Sequence, residues 1–165
     1  MKEVDLYTSV VDKLQKKYPA YFENLIHEFS EEYNIKTEDE LKEMTKQIIY
    51  SWLFLDYIMI DGKKLVDFCS QALDLTKNEI LMLEKIKNAK RGLFEIKSNS
   101  KNLLKVKDIL TKESYQVSII DFEIKRGIIK ANIVYNLENK LFLFGGVQKV
   151  DKKQAEQYLI KEGLQ

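Results

Sequence analysis

Along residues 1–91 apolar positions recur every three to four residues, and from residue 92 they recur every second residue. That change of period predicts helices first and strands afterwards. Lys2–Lys17 places Val4, Tyr7, Val10, Val11 and Leu14 on one helical face. Pro19 breaks the pattern and suits the first turn of a second helix, whose apolar side is Phe22, Leu25, Ile26, Phe29 and Tyr33 and whose end is Asn34. Leu41, Met44, Ile48, Trp52 and Leu55 continue at spacings of three and four, which predicts one long helix from Glu38 to Met59. Thr37 and Glu40 make a capping box at its start, and Asp61-Gly62 supplies the stop.

The second half of that helix, Ile48–Ile60, is apolar nearly all round and holds the only Trp of the chain, so other elements are expected to pack around it. It falls short of the ~20 apolar residues of a membrane span, and it contains Ser51 and Asp56. A fourth helix is predicted from Lys63 to Leu73, with Leu65, Phe68, Cys69 and Ala72 inward. Thr76 and Glu79 repeat the capping-box spacing and open a fifth, which carries Ile80, Leu81, Met82, Leu83 and Ile86 and ends at Gly92.

Five strands follow: Leu93–Lys97, Leu103–Lys107, Tyr115–Ile119, Ile128–Tyr135 and Leu141–Val147. Ser98–Asn102 and Asn136–Lys140 are hairpin loops by composition. The run LFLFGGV is apolar on both faces and should be covered, and Gly145-Gly146 suggests a bulge or a close backbone approach. Asp151 caps a last helix carrying Ala155, Tyr158 and Leu159. The fold class is therefore α+β: an N-terminal helical layer of about five helices, then a five-stranded antiparallel, barrel-like sheet and a C-terminal helix. Residues 1–91 and 92–165 are expected to form one compact unit.

Charge sharpens this division. Residues 1–90 carry 13 Lys against 17 Asp and Glu, a net of −4; residues 91–165 carry 14 Lys and Arg against 9 acids, a net of +5. The halves could attract each other, or the basic half could receive an acidic partner. The single Cys, Cys69, rules out an internal disulfide and a multi-cysteine zinc site, and as part of an apolar helix face it reads as a small core residue. With no signal-peptide pattern at the start, the chain reads as soluble, intracellular and cytoplasmic, with no membrane partner.

The run Trp52-Leu53-Phe54-Leu55-Asp56-Tyr57, followed by Asp61-Gly62 and Phe68, resembles the WFLFDY…DG…F signature of uncharacterised proteins that often carry a C-terminal SEC-C metal-binding motif. Gly92–Ile96, Val106–Thr111 and Gly127–Ala131 continue the resemblance in the same order, over roughly residues 45–150. The resemblance implies a helical-then-β layout and no known activity. The cysteines that hold SEC-C zinc are missing here, so it implies no metal, and no cofactor is expected.

Chemistry narrows to a few residues. His27, the only histidine, lies on a polar helix face between Glu23 and Glu31, which disfavours Ser-His-Asp and Cys-His catalysis. No phosphate-cradling glycine motif occurs. Asp56, a candidate buried acid inside an apolar helix, would need a partner or an exit to water; with Asp61 and Asp67 it could form a carboxylate site. Lys97, Lys105, Lys107, Lys125, Arg126 and Lys130 lie on or beside the strands, interleaved with Phe94, Tyr115, Phe122 and Tyr135, a candidate basic and aromatic surface for nucleic acid. The solvated outer face of an ordinary sheet, with its aromatics inside, would carry the same pattern. The functional expectation is a noncatalytic interaction or adaptor module whose partner is unknown, protein or nucleic acid. The alternatives are a nucleic-acid-binding protein using the basic β half and an enzyme with a carboxylate site near Asp56.

Overall fold

The two periods of the sequence give two units, Met1–Lys87 and Asn88–Gln165. The computed structural model describes residues 3–163. Lys2 and the side chain of Val4, which the periodicity puts in the first helix, lie outside the described part.

In the first unit, α1 (Glu3–Lys17) buries Leu6, Tyr7, Val10, Val11 and Leu14. Pro19 opens α2 (Pro19–Glu32), where its missing N–H removes no intrahelical bond. Asn34 takes the left-handed conformation (φ 54°), and the Ile35 amide reaches back to the Ser30 carbonyl at 2.7 Å, a Schellman closure.

The long helix expected over Glu38–Met59 does not form. It is broken into α3 (Glu38–Glu43) and α4 (Lys46–Ser51) at Met44, which is extended (ψ 136°). The Thr37–Glu40 cap is present, with the Glu40 amide donating to Thr37 Oγ1 at 3.1 Å. But EDELKE buries no residue, and a short polar helix lacks the packing that carries a helix past its nucleation cost. Ser51 Oγ then bonds the Ile48 carbonyl at 3.0 Å, which loosens the ladder. The chain continues through a π turn, Trp52–Asp56, closed by the Tyr57 amide on the Trp52 carbonyl at 2.8 Å. Within the wider turn four consecutive residues, Trp52, Leu53, Phe54 and Leu55, are all buried. Asp61-Gly62 closes a small hairpin, not a helix: Ile58 bridges Lys64 antiparallel, and Gly62 sits at φ 84°. α5 (Leu65–Ala72) and α6 (Lys77–Lys87) complete the unit. Leu65, Cys69, Met82, Leu83 and Ile86 are buried, whereas Ile80 and Leu81 are exposed.

The second unit holds β1 (Lys90–Ser100), β2 (Leu103–Asp108), β3 (Ser114–Ser118), β4 (Gly127–Tyr135), β5 (Leu141–Leu143), β6 (Gln148–Val150) and α7 (Lys152–Gly163). The class is α+β, but the sheet is mixed and not an antiparallel meander. β1, β2 and β3 follow one another as antiparallel neighbours. β5 then inserts between β3 and β4, parallel to β3 through Val117 and Leu141. β4 pairs with β1 from Lys90↔Ile133 to Ile96↔Gly127, so the order β1-β2-β3-β5-β4 closes on itself as a five-stranded barrel. β6 adds to β4 beside β5.

The departure from a meander lies in the β3–β4 connection, which is no hairpin. Asn99 donates its carboxamide to the carbonyls of Phe122 (3.1 Å) and Ile124 (2.8 Å), and Ile119, Phe122 and Ile124 pack on the barrel core. The chain is thereby led to β1 before β4 begins. The interior is filled by Phe94, Ile96, Leu104, Val106, Val117, Ile129, Ala131, Ile133 and Leu141. The expected fifth strand is cut short, because the chain turns at Gly145 (φ 88°) before β6. Asp151 caps α7 reciprocally with Gln154, each amide donating to the other's side-chain oxygen. α7 lays Ala155, Tyr158 and Leu159 against Leu93, Ile109 and Val150 on the outside of the barrel.

Candidate functional site

Strand alternation decides which candidates reach solvent. On β2, Leu104 and Val106 fill the interior, so Lys105 and Lys107 face outward. Lys105 lies opposite Ser98 of β1 and Gln116 of β3; Lys107 lies opposite Glu95 and Ser114. Lys97 is the extra residue of a β-bulge, since Ile96 pairs with Val106 and Ser98 with Lys105. Its ammonium bonds the Glu95 carboxylate. Lys125 and Arg126 are exposed in the turn that enters β4 at Gly127, the partner of Ile96, and so sit beside the same end of β1. Lys97, Lys105 and Lys107 thus share the outer side of β1 and β2, with the turn that carries Lys125 and Arg126 beside it.

Lys130 does not join them. It faces outward on β4 between Leu93 and Gln148, on the side that α7 covers. The aromatic half of the candidate surface is corrected as well. Phe94 is completely buried in the barrel, and Tyr115 turns inward, edge-on to it at 6.1 Å, with its hydroxyl donating to Glu113 at 2.5 Å. Burial, and then that bond, push the Tyr115 phenol up to about 12. Both rings occupy inward register positions, Tyr115 opposite Val106, so they lie on the face opposite to Lys105 and Lys107.

The field on the basic flank is legible in Glu95. The hydrogen bond from Lys97, with the charges of Lys97, Lys107 and Lys112, holds its carboxyl below the ordinary glutamate range against the opposing effect of burial. Lys112 comes from the β2–β3 turn, where it takes φ 69°, and no strand period points to it.

The buried-acid reading of Asp56 is overturned. Asp56 ends the π turn and is exposed, while the four residues before it are buried. The carboxylate site loses its premise. Among the described residues of this unit the buried acid is Glu79, whose side chain is 1% exposed. Its Oε1 accepts from Lys13 Nζ at 2.6 Å and from the Thr76 amide at 2.8 Å. Burial pushes its carboxyl up, but those donors hold it lower than the ordinary range. The capping-box spacing locates Glu79; nothing in the spacing reveals its pairing with Lys13. His27 is exposed beside Glu31. Among the described residues no group of three or more His, Cys, Asp or Glu is placed to hold a metal, and no helix is long and apolar enough to cross a membrane.

Fold and flank together define an α+β protein of a helical unit followed by a small closed barrel with Lys97, Lys105 and Lys107 on the outer side of β1 and β2. A family model described as "Family of unknown function (DUF7986)" matches residues 2–162, and the chain belongs to that family. The match does not show the expected resemblance to the N-terminal regions of SEC-C motif proteins. No curated protein and no solved structure matches the chain.

Proposed function

We propose that this protein is a noncatalytic binding module whose barrel holds single-stranded nucleic acid on the outer face of β1, β2 and β3. The carrying observation is that Lys97, Lys105 and Lys107 lie side by side on neighbouring strands, with Lys125 and Arg126 at their end. Lysines two apart on a strand stand ~6.8 Å apart, close to the step between successive phosphates of a stretched strand. A closed order of β1-β2-β3-β5-β4 is a Greek-key barrel of the OB type, and that class binds oligonucleotides on its strand 2–3 face between two loops. The analogy is one of fold and gives class only. Binding on this face rests on phosphates, because the rings of Phe94 and Tyr115 are turned inward, so it is indifferent to sequence and steeply dependent on salt. The reading sets the protein in the cytoplasm, where its single buried, free Cys69 needs no oxidising compartment.

Fluorescence anisotropy with a labelled oligo-dT and oligo-U tests this. Four neutralised phosphates give a slope of log K against log salt of about −3. Lys105→Glu with Lys107→Glu abolishes binding, and Lys130→Glu, on the other flank, leaves it. No binding at low salt, or equal loss from Lys130→Glu, overturns the proposal.

A further inference from the structure

The flank covered by α7 carries a cleft of a different kind. Leu93, Lys130 and Gln148 form one outward row across β1, β4 and β6. With Val150, Gln154 and Tyr158 they enclose about 330 Å³, within the ~300–1,000 Å³ range of small-molecule sites. Gln154 and Tyr158 are one helical turn apart and look the same way from α7. The carboxamide oxygen of Gln154 is taken by the Asp151 amide at 3.0 Å, which leaves its NH₂ as the free end.

Gly92 shapes the wall. A Cβ there would stand 3.1 Å from the Tyr158 hydroxyl and 4.0 Å from Asp108 Oδ2, so the missing side chain is what lets the hydroxyl come down onto the sheet. Burial, then the charges of Asp108 and Glu162, raise the Tyr158 phenol, so it stays a donor at neutral pH. Asp108 Oδ1 accepts from the amides of Leu110 (2.8 Å) and Thr111 (3.1 Å), and its Oδ2 lies on the Gly92 side of the wall. The cleft is lined by Lys130, Gln148, Gln154 and Tyr158, which bring an ammonium, two carboxamides and a phenol hydroxyl, each with a hydrogen to donate. Lys130 forms no ion pair among the described residues. Leu93 and Val150 supply apolar wall.

We propose that this cleft binds a small organic carboxylate, its anionic end on Lys130 and the neighbouring donors and its compact apolar body against Leu93 and Val150. A cation that forms no ion pair among the described residues, set among side chains that can donate and beside apolar surface, is complementary to that pairing of groups. The site is separate from the lysine flank assigned to nucleic acid and does not depend on that assignment.

Titrating ¹⁵N-labelled protein with benzoate, benzamide and inorganic phosphate tests it. Benzoate is expected to move the amide signals of Gly92, Leu93 and Val150 and to saturate by ~10 mM, the range for a Kd of ~1 mM. Benzamide, which lacks the charge, and phosphate, which lacks the body, move them at least fivefold less. Lys130→Gln removes the benzoate shifts, and Tyr158→Phe weakens binding several-fold; circular dichroism shows both variants folded, and if Tyr158→Phe is not, Lys130→Gln decides alone. Absence of shifts at the cleft, their survival in Lys130→Gln, or an equal response to benzamide or phosphate overturns the proposal.

Discussion

The Tyr158 hydroxyl stands 3.1 Å from the place where a Cβ on Gly92 would lie. Gly92 is not required for its φ, which is unexceptional; it is required for space. Gly92→Ala gains a little from a stiffer unfolded chain, about 0.4–1 kcal/mol, and loses more by pushing a half-buried ring out of the Leu93–Ile109–Ala155 cluster, about 1–3 kcal/mol. The net expectation is a loss of about 1 kcal/mol. In a Tyr158→Phe background the offending oxygen is gone, and the next ring atom is 4.0 Å away, so the same Gly92→Ala change should cost almost nothing. A double-mutant cycle by urea unfolding measures the coupling; additive effects would mean that the ring moves aside freely.

Glu79 makes stability depend on acid in a direction that its partners set. Its folded carboxyl titrates below the ordinary value, chiefly because Lys13 and the Thr76 amide outweigh burial. The folded state therefore binds fewer protons than the unfolded state in this window. The stabilisation is complete above the unfolded value, near pH 4.3, and is lost as pH falls through the folded one. Unfolding free energies from pH 7 to 3 should fall more steeply for the wild type than for Glu79→Gln. Lys13→Met, which leaves the carboxylate buried with no cation, should cost about 2–4 kcal/mol at neutral pH, since Lys13 itself is only partly buried.

Leu53 and Asp56 lie three residues apart in the same π turn and should respond oppositely to substitution. Leu53 is fully buried, so Leu53→Ala costs about 2–5 kcal/mol through lost transfer energy and a cavity. Asp56 is exposed, and Asp56→Asn should stay within about 0.5 kcal/mol. Thermal melts of the two variants side by side check this. A large loss from Asp56→Asn would restore a structural role for the acid.

That turn also marks where the sequence stops being readable. The three- and four-residue spacing through Leu41, Met44, Ile48 and Trp52 is real, and Trp52 and Leu55 are buried as it implies. Spacing counts residues per turn, however, and it cannot register a break at Met44, where the polar α3 buries nothing, or a widened turn after Ser51, whose hydroxyl bonds the Ile48 carbonyl. Adding one residue to a turn rotates every later position about the helix axis, which carries Asp56 from the expected interior to the surface. β1 to β4 are legible because alternation is local, and so are the outward lysines of β2, whereas the short β5 and β6 are not. Their order was not, because β5 reaches β3 through a pairing remote in sequence, and no local period encodes it. The inward turn of Phe94 and Tyr115 comes from the same alternation that exposes Lys105, once the register is known.

Asn99 connects barrel closure to the basic flank. Its one carboxamide satisfies two carbonyls, Phe122 and Ile124, in the segment that leads to Lys125 and Arg126. Asn99→Ala leaves both part-buried oxygens without that donor, a cost of about 1–3 kcal/mol. The damage should be local, since the strands on either side keep their own ladders. Amide exchange across residues 119–126 should speed up well beyond that of β1 and β2. If Lys125 and Arg126 add to the strand-binding face as proposed, affinity for oligo-U should fall several-fold in this variant although no charge has been removed. Faster exchange with unchanged affinity would detach the turn from the interface and leave Lys97, Lys105 and Lys107 to hold the strand alone. Unchanged exchange would show that the segment is held by the packing of Ile119, Phe122 and Ile124, with the asparagine incidental.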